Sequence, residues 1–210
     1  VLAVCAGLVM QGENGVYGGR PFMKWQLIFG KVDALSMVFA YIMTLMWVIG
    51  SVYGLHVEEA AEHSAAWTYV AGSLGVIFCG DYLTLFLFWA LMAFSSVFLV
   101  WFRRSKASLA SGYRSLLVHT EGGLLLLAGL VLRYRATGDL TFGPIGVADP
   151  PLYTSLIMAG FILNAAVPPL HAWLPDAYGE ATVTGAVFMC GFTPKTAVYV
   201  LSTRFAGMEI

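Results

Sequence analysis

Four polar side chains lie within apolar stretches of this sequence, and their types suit them to binding or passing protons. They are His119, Glu121, Asn164 and Lys195. An ionisable group at bilayer depth costs about 2.5–3.5 kcal/mol even on insertion scales, so such groups usually face a protein interior or a water path. Groups that gain and lose protons there could move charge without any covalent step.

Lys195 is predicted to be the central proton carrier among these residues. It lies within the last apolar helix, about as far from either end as the helix allows, so its amine cannot easily reach the interface. Pro194, directly before it, has no N–H and frees a backbone carbonyl one turn earlier, near Cys190. A lysine at the kink of a helix is predicted to be a proton or cation station.

His119 and Glu121 lie near the middle of another apolar helix, close to glycines that permit tight helix packing. Because they are two positions apart, their side chains point to largely different faces. Glu121 is predicted to handle protons or to pair with a cation; the alternative is a packed, protonated carboxyl. For His119 the alternative is a structural histidine whose hydrogen bonds are satisfied by a neighbouring helix.

A proline-rich stretch, NAAVPPLHAWLPDAY at residues 164–178, is predicted to break a membrane helix. Pro168 cannot donate to the carbonyl of Asn164, and Pro169 cannot donate to the carbonyl of Ala165. Irregular backbone at membrane depth is tolerated where it is buried in protein or lines water, as in transporter binding sites. The alternative is a loop at the membrane surface. The further polar residues at or beside the break are His171, Asp176 and Glu180.

The composition predicts an all-α, polytopic membrane helix bundle. Of the 210 residues, 59% are hydrophobic and 11% charged, whereas soluble domains are about 25% charged. Asp81 is predicted to be an N-cap, and the Gly-rich stretch before residue 32 a loop, with a hairpin around Glu13-Asn14-Gly15. We predict one transmembrane domain, residues 1–210, a fragment open at its N-terminus, with spans at 1–10 (partial), 32–55, 66–79, 82–102, 113–132, 151–167 and 182–205.

Several functions are not supported by the sequence. The net charge of −1 comes without a basic face, so no nucleic-acid partner is expected. Cys5, Cys79 and Cys190 lack the spacing of metal ligands, and no nucleotide loop, haem ligand pair or iron–sulfur cysteine set is visible. We therefore expect no metal, no cofactor and no redox chemistry in this chain.

Longer motifs resemble a known family. NAAVPPLHAWLPDAYGEATVTGAVF followed by FTPKTAVYVL is similar to the antiporter-like subunits of respiratory complex I and of Mrp-type Na⁺/H⁺ antiporters. The nearest resemblance is to the D-type Mrp subunits and their relatives in membrane-bound hydrogenases. VDALSMVFAYIMTL, GVIFCGDYLTLFLFWALMAFSSVFLVWFRR and YRSLLVHTEGGLLLLAG agree in order with the family's third to eighth helices.

The resemblance implies a broken seventh helix, a cytoplasmic RRSK loop, a cell (inner) membrane location and other membrane subunits as partners. Charge counting alone does not decide the orientation, although the density of the RRSK cluster favours the same side. The host, an NADH:quinone oxidoreductase-type or a hydrogenase-type translocase, stays open. The resemblance also implies that the chain is the first half of a complete member without its ends.

The family's proton path usually includes a glutamate in the fifth helix, a lysine in the seventh and a lysine or histidine in the eighth. Lys195 matches the last of these, but Asn164 stands where many members have the lysine, and Ala90, in FWALM, where they have the glutamate. Glu121 could replace that carboxylate, because in an antiparallel hairpin centred near residue 107 it would lie within about 5 Å of Ala90 in depth.

Three interpretations follow. The leading one is a proton-translocating or Na⁺/H⁺-exchanging membrane subunit, in which His119 and Asn164 order bridging water. The alternative is a structural membrane subunit that has lost pumping, which Ala90 and Asn164 both favour. A third, a membrane-embedded enzyme, would require His171 and Asp176 to face an open substrate pocket at the interface.

Overall fold

The computed structural model describes residues 15–22, 25–143, 145 and 150–205, most of them helical. Its elements are β1 (Gly15–Phe22), β2 (Trp25–Val32), α1 (Ala34–Tyr53), a 3₁₀ turn (Gly54–His56), α2 (Ala60–Phe78), α3 (Tyr82–Trp101), α4 (Lys106–Thr137), α5 (Pro151–Asn164), α6 (Trp173–Glu180) and α7 (Val183–Arg204). Three helical stretches in this part of the chain are long and apolar enough to cross a membrane, namely Ala34–His56, Tyr82–Trp101 and Lys106–Thr137. The predicted all-α membrane bundle is confirmed.

Four of the helices begin at a side chain that accepts a hydrogen bond from the backbone of the first turn. These N-caps are Asp33 for α1, Asp81 for α3, Ser105 for α4 and Thr182 for α7. Asp81 accepts from the backbone N–H of Thr84 at 2.7 Å and from its hydroxyl at 2.6 Å. The predicted capping role of Asp81 is therefore confirmed, and its carboxylate also reaches beyond its own helix.

A β-hairpin precedes the first helix, where the sequence predicted a loop. The two strands are antiparallel and pair from Gly15 with Val32 to Phe22 with Trp25. The chain therefore reverses after Phe22. Glu13 and Asn14, around which the sequence predicted a hairpin, lie outside the described residues, as does the predicted partial span 1–10.

The hairpin packs against the junction between α2 and α3. The Gly80 N–H donates to the carbonyl of Ile28 at 2.8 Å, and the Ile28 N–H donates to Asp81 Oδ2 at 2.7 Å. A Cβ at Gly80 would lie 2.3 Å from the side chain of Ile28, so glycine is required for this approach. The Tyr82 N–H donates to Leu140 at 2.9 Å, which brings the segment after α4 to the same end. We call this the hairpin end.

Replacement of Asp81 by alanine is expected to destabilise the protein by about 1–2 kcal/mol through the lost cap alone, and by more because the Ile28 N–H loses its acceptor. Asp33→Ala is the matched control, because the carboxylate of Asp33 caps α1 through Ser36. Thermal unfolding of the detergent-solubilised protein should show the larger decrease for Asp81→Ala. Equal decreases would mean that the hydrogen bond from Ile28 to Asp81 adds nothing to the stability of the protein.

Helix α4 is longer than the predicted span 113–132. It has 32 residues from Lys106 to Thr137, about 48 Å at 1.5 Å per residue, whereas the hydrocarbon core of a bilayer is about 30 Å thick. The RRSK stretch is therefore a tight connection followed at once by helix, because Ser105 caps α4 with a hydrogen bond of 2.9 Å from Ser108. Helix α4 extends beyond the bilayer core or tilts within it.

Glycines bring α4 and α5 into close contact. A Cβ at Gly160 would lie 2.8 Å from the Gly122 carbonyl oxygen, and one at Gly129 would lie 2.6 Å from the side chain of Ile157. Small residues at a helix interface let backbones approach closely in membranes. The core beside this pair is aromatic: Trp89 packs edge-on against Phe161 with ring centroids 5.1 Å apart.

Candidate functional site

The interruption predicted from the prolines is present. Helix α5 ends at Asn164, α6 begins at Trp173, and residues 165–172 between them form turns. We call residues 165–172 the interrupted segment. It is shorter than the predicted break at 164–178, because α6 resumes before Asp176. Pro168, Pro169 and His171 are exposed on this segment.

A buried hydrogen bond joins α4 to the last residue of α5. His119 Nδ1 lies 2.6 Å from Asn164 Oδ1, and the two residues are 7% and 1% exposed. Because an amide oxygen can only accept, His119 donates from Nδ1, and in the neutral imidazole Nε2 is left as an acceptor. The sequence suggested that these residues order bridging water; in the structure they bond directly.

Trp173 connects the two sides of the interruption. Its ring packs edge-on against the ring of His119, with centroids 4.6 Å apart, and its Nε1 donates to the Leu163 carbonyl at 3.1 Å. His119 is thereby held between Asn164 before the interrupted segment and Trp173 after it. The role of Trp173 was not predicted from the sequence, because an aromatic residue in an apolar stretch gives no spacing signal.

A cavity of about 180 Å³ lies between α3 and α4 beside His119. Its wall includes Trp89, Ala90, Ala93, His119 and Gly123. Five residues of α4 line this cavity with Ala90, and His119 is the ionisable one among them. The other four are Leu116, Thr120, Gly123 and Leu124.

Glu121 lies elsewhere on α4 and is exposed. Two helical positions separate it from His119, which corresponds to about 200° around the helix axis. Glu121 is not among the residues that line the cavity with Ala90. The hypothesis that it replaces a carboxylate at position 90, which rests on their similar depth along the two helices, stays a prediction. A role for Glu121 in proton transfer stays a prediction.

Two buried donors near this cavity have no hydrogen-bond acceptor within the described part of the chain. They are Asn164 Nδ2 and Trp89 Nε1. Buried groups of this kind commonly bind internal water. The surroundings of His119 therefore combine an apolar wall with donors that can hold water.

Lys195 lies on α7, one residue after Pro194, and is half-buried. Its Nζ lies 3.4 Å from the carbonyl oxygen of Cys190, to which it donates. This is the carbonyl that Pro194 leaves without a helical donor, so the prediction of a free carbonyl near Cys190 is confirmed. Among the described residues, no hydrogen bond joins Lys195 to His119 or Asn164, so the structure gives two polar centres on different helices.

The remaining polar residues of the break lie on or beside α6. Asp176 forms a bidentate ion pair with Arg114 of α4, at 2.7 Å from Nε and 2.9 Å from Nη2. Glu180 is the half-buried last residue of α6. Of the two residues that the membrane-enzyme interpretation requires, Asp176 thus has both oxygens bonded to Arg114, and His171 is exposed on the interrupted segment. Within the ranges that the structure describes, no group of three or more His, Cys, Asp or Glu side chains could hold a metal ion.

The fold and this site define a multi-pass membrane helix bundle with an interrupted helix beside a buried polar pair. The chain belongs to the NADH:quinone oxidoreductase/Mrp antiporter transmembrane family, whose pattern matches residues 79–210. The family resemblance found in the sequence is therefore confirmed.

Individual relatives come from both branches of this family. The chain is 28% identical to NADH-quinone oxidoreductase subunit M of Escherichia coli K12, over 95% of this chain and 46% of that protein. It is 28% identical to Na⁺/H⁺ antiporter subunit A1 of Staphylococcus haemolyticus, over 81% of this chain and 23% of that protein. The chain thus spans less than half the length of these relatives. The more specific expectation, that it is nearest to the D-type Mrp subunits, stays a prediction.

The fold is shared with one chain of a solved Mrp complex. A chain of the Mrp complex from Dietzia sp. DQ12-45-1b superposes with a TM-score of 0.82 at 22% identity, over 98% of this chain and 42% of that chain. At this identity the likeness concerns the fold alone.

Proposed function

We propose that the chain is part of a proton-translocating membrane subunit within a multi-subunit complex of the complex I or Mrp kind. The observation that carries this proposal is the buried His119–Asn164 hydrogen bond at the end of an interrupted helix. A titratable group at membrane depth is costly to retain, so it indicates an ion pathway. The family membership supports the same conclusion.

His119 can accept and release a proton, which its neighbours Asn164 and Trp89 cannot. With Nδ1 donating to Asn164, Nε2 of the neutral ring can accept a proton and release it again. Asn164 itself does not titrate; it fixes the orientation of the ring. Water held by the buried donors of Asn164 and Trp89 would pass protons to and from the imidazole.

Lys195 provides a second station in this scheme. Its amine donates to a carbonyl that Pro194 has left free, so it can hold or lose a proton without breaking a helical hydrogen bond. Neighbouring charges change the proton affinity of such groups, and events elsewhere in the complex would supply those changes.

A more specific form of this proposal is the exchange of Na⁺ for protons. The similarity to Na⁺/H⁺ antiporter subunits supports it. A structural subunit without pumping is the competing function, because Ala90 and Asn164 stand where the family usually has a glutamate and a lysine.

We further propose the cell membrane as the location, with the RRSK connection on the cytoplasmic side and other membrane subunits of the complex as partners.

Replacement of His119 by glutamine tests the proposal. Glutamine can keep a hydrogen bond to Asn164 but cannot titrate, so proton flux should fall by about tenfold, somewhat less than the usual loss for a positioned proton-transfer group. Flux of H⁺ and of Na⁺ is measured in inverted vesicles carrying the full-length complex. The control is His56→Gln, whose imidazole is exposed beside Tyr53. Unchanged fluxes with intact assembly would support the structural subunit.

A further inference from the structure

We propose that the ion pair between Arg114 and Asp176 positions α6 across the interrupted segment, and that Arg114 is thereby a positioning residue for His119. This inference rests on the proposed function for its consequence in transport. Its structural part, the control of α6 by one arginine of α4, can be tested without any flux.

The geometry of the ion pair fixes how its two side chains are oriented. Arg114 Nε lies 2.7 Å from Asp176 Oδ2 and Nη2 lies 2.9 Å from Oδ1, with side chains 57% and 33% exposed. Two parallel charge-assisted hydrogen bonds fix the orientation of both side chains as well as their separation. Asp176 is therefore held in one place relative to α4.

The surroundings of the pair are open. Arg114 follows the start of α4 by about 12 Å along the helix axis, and its neighbours Tyr113 and Leu117 are exposed. A single ion pair at an exposed site adds little stability, so the property that matters here is the orientation that its two parallel hydrogen bonds impose.

Helix α4 contacts both sides of the interrupted segment. His119 bonds Asn164 before the segment and packs on Trp173 after it, while Arg114 binds Asp176 three residues further on. Arg114 and His119 are about 7.5 Å apart along the axis of α4. A shift of α6 against α4 must therefore change the ion pair and the surroundings of the imidazole together.

Helix α6 depends on such contacts because it is short. It has 8 residues, and isolated helices below about 12–15 residues are marginal in water. Arg103 Nη1 donates to the Gly179 carbonyl at 2.6 Å near its end, and the Tyr178 hydroxyl donates to Met189 of α7 at 3.1 Å. Near its start, where Trp173 lies, Arg114 supplies the charged contact.

Two single variants and one double variant test the inference in the full-length complex. Arg114→Gln and Asp176→Asn each remove one charge, and the double variant Arg114→Asp with Asp176→Arg exchanges them. Hydrogen–deuterium exchange of the backbone amides of residues 165–178 reports opening of this region. We expect protection to fall by roughly tenfold in each single variant and to return in the double variant, with proton flux changing in parallel.

The chain offers a matched control at the same end of the bundle. Glu59 forms an ion pair with Arg104 that does not involve α6. Glu59→Gln should leave protection and flux as in the wild type. Protection unchanged in Arg114→Gln, or lowered equally by Glu59→Gln, would overturn the assignment.

The flux measurement separates this inference from the proposed function. Lower protection with wild-type flux would overturn the positioning role of Arg114 while leaving the proposed function intact. A wild-type complex without proton flux would end the proposed function, and the protection data alone would then decide whether Arg114 and Asp176 hold α6.

Discussion

Replacement of Lys195 by alanine is expected to lower proton flux through the full-length complex by about 100-fold, as for the loss of a positioned proton-transfer group. The lysine lies inside α7, where its Nζ donates to the carbonyl that Pro194 leaves free. Alanine removes the amine but retains the proline, so the backbone hydrogen bond that Pro194 cannot donate stays absent. Flux is measured in inverted vesicles, with assembly of the complex checked separately.

Two further substitutions show which property of Lys195 matters. Lys195→Arg keeps the positive charge but cannot release a proton at neutral pH, so it should be as defective as alanine if proton exchange is the role. Lys106→Ala removes an exposed lysine at the first position of α4 and should leave flux unchanged. Full flux in Lys195→Ala would make the lysine and the proline of α7 architectural, and the structural subunit would become the better explanation.

Introduction of glutamate at position 90 is expected to move the pH dependence of proton flux. Ala90 and His119 share the wall of a cavity of about 180 Å³, which gives a longer side chain room to enter. A carboxylate there would stabilise the protonated imidazole of His119, so the pH of half-maximal flux should rise by about one unit. The measurement is flux as a function of pH in the same vesicles.

Ala90→Gln provides the control for this substitution. Glutamine has the shape of glutamate without its charge, so its pH profile should match that of the wild type. In a His119→Gln background the shift caused by Ala90→Glu should vanish, because the responding group is gone. Identical profiles for the Glu and Gln variants would show that position 90 is not coupled to a titrating group.

The parts of the structure that the sequence predicted depend on local backbone chemistry. Pro168 and Pro169 cannot donate hydrogen bonds, so an interruption after Asn164 follows from the chain alone. The same argument predicts a free carbonyl near Cys190, before Pro194. Asp81 at the start of an apolar stretch is an N-cap for the same kind of reason, since its carboxylate meets the first free N–H groups of α3.

The parts that the sequence did not predict depend on which face of a helix meets which neighbour. His119 and Glu121 lie two positions apart in a helix with glycines nearby, and either could have faced the core. The tight contact of Gly122 with α5 settles the rotation of α4 and places His119 inward. The partner of Asp176 was equally hidden, because Arg114 lies 62 residues away in sequence.

The glycine contact between α4 and α5 also has a mechanical consequence. Gly160 and Gly122 meet backbone to backbone with no room for a methyl group, so a sliding motion of one helix along the other would drive side chains into main-chain atoms. Packed interfaces of this kind switch between discrete arrangements and do not deform gradually. The two helices therefore act as a rigid frame that carries His119 and Asn164 at fixed spacing. Any movement that opens or closes a route to them must come from elements outside this pair, such as α3, α6 and α7.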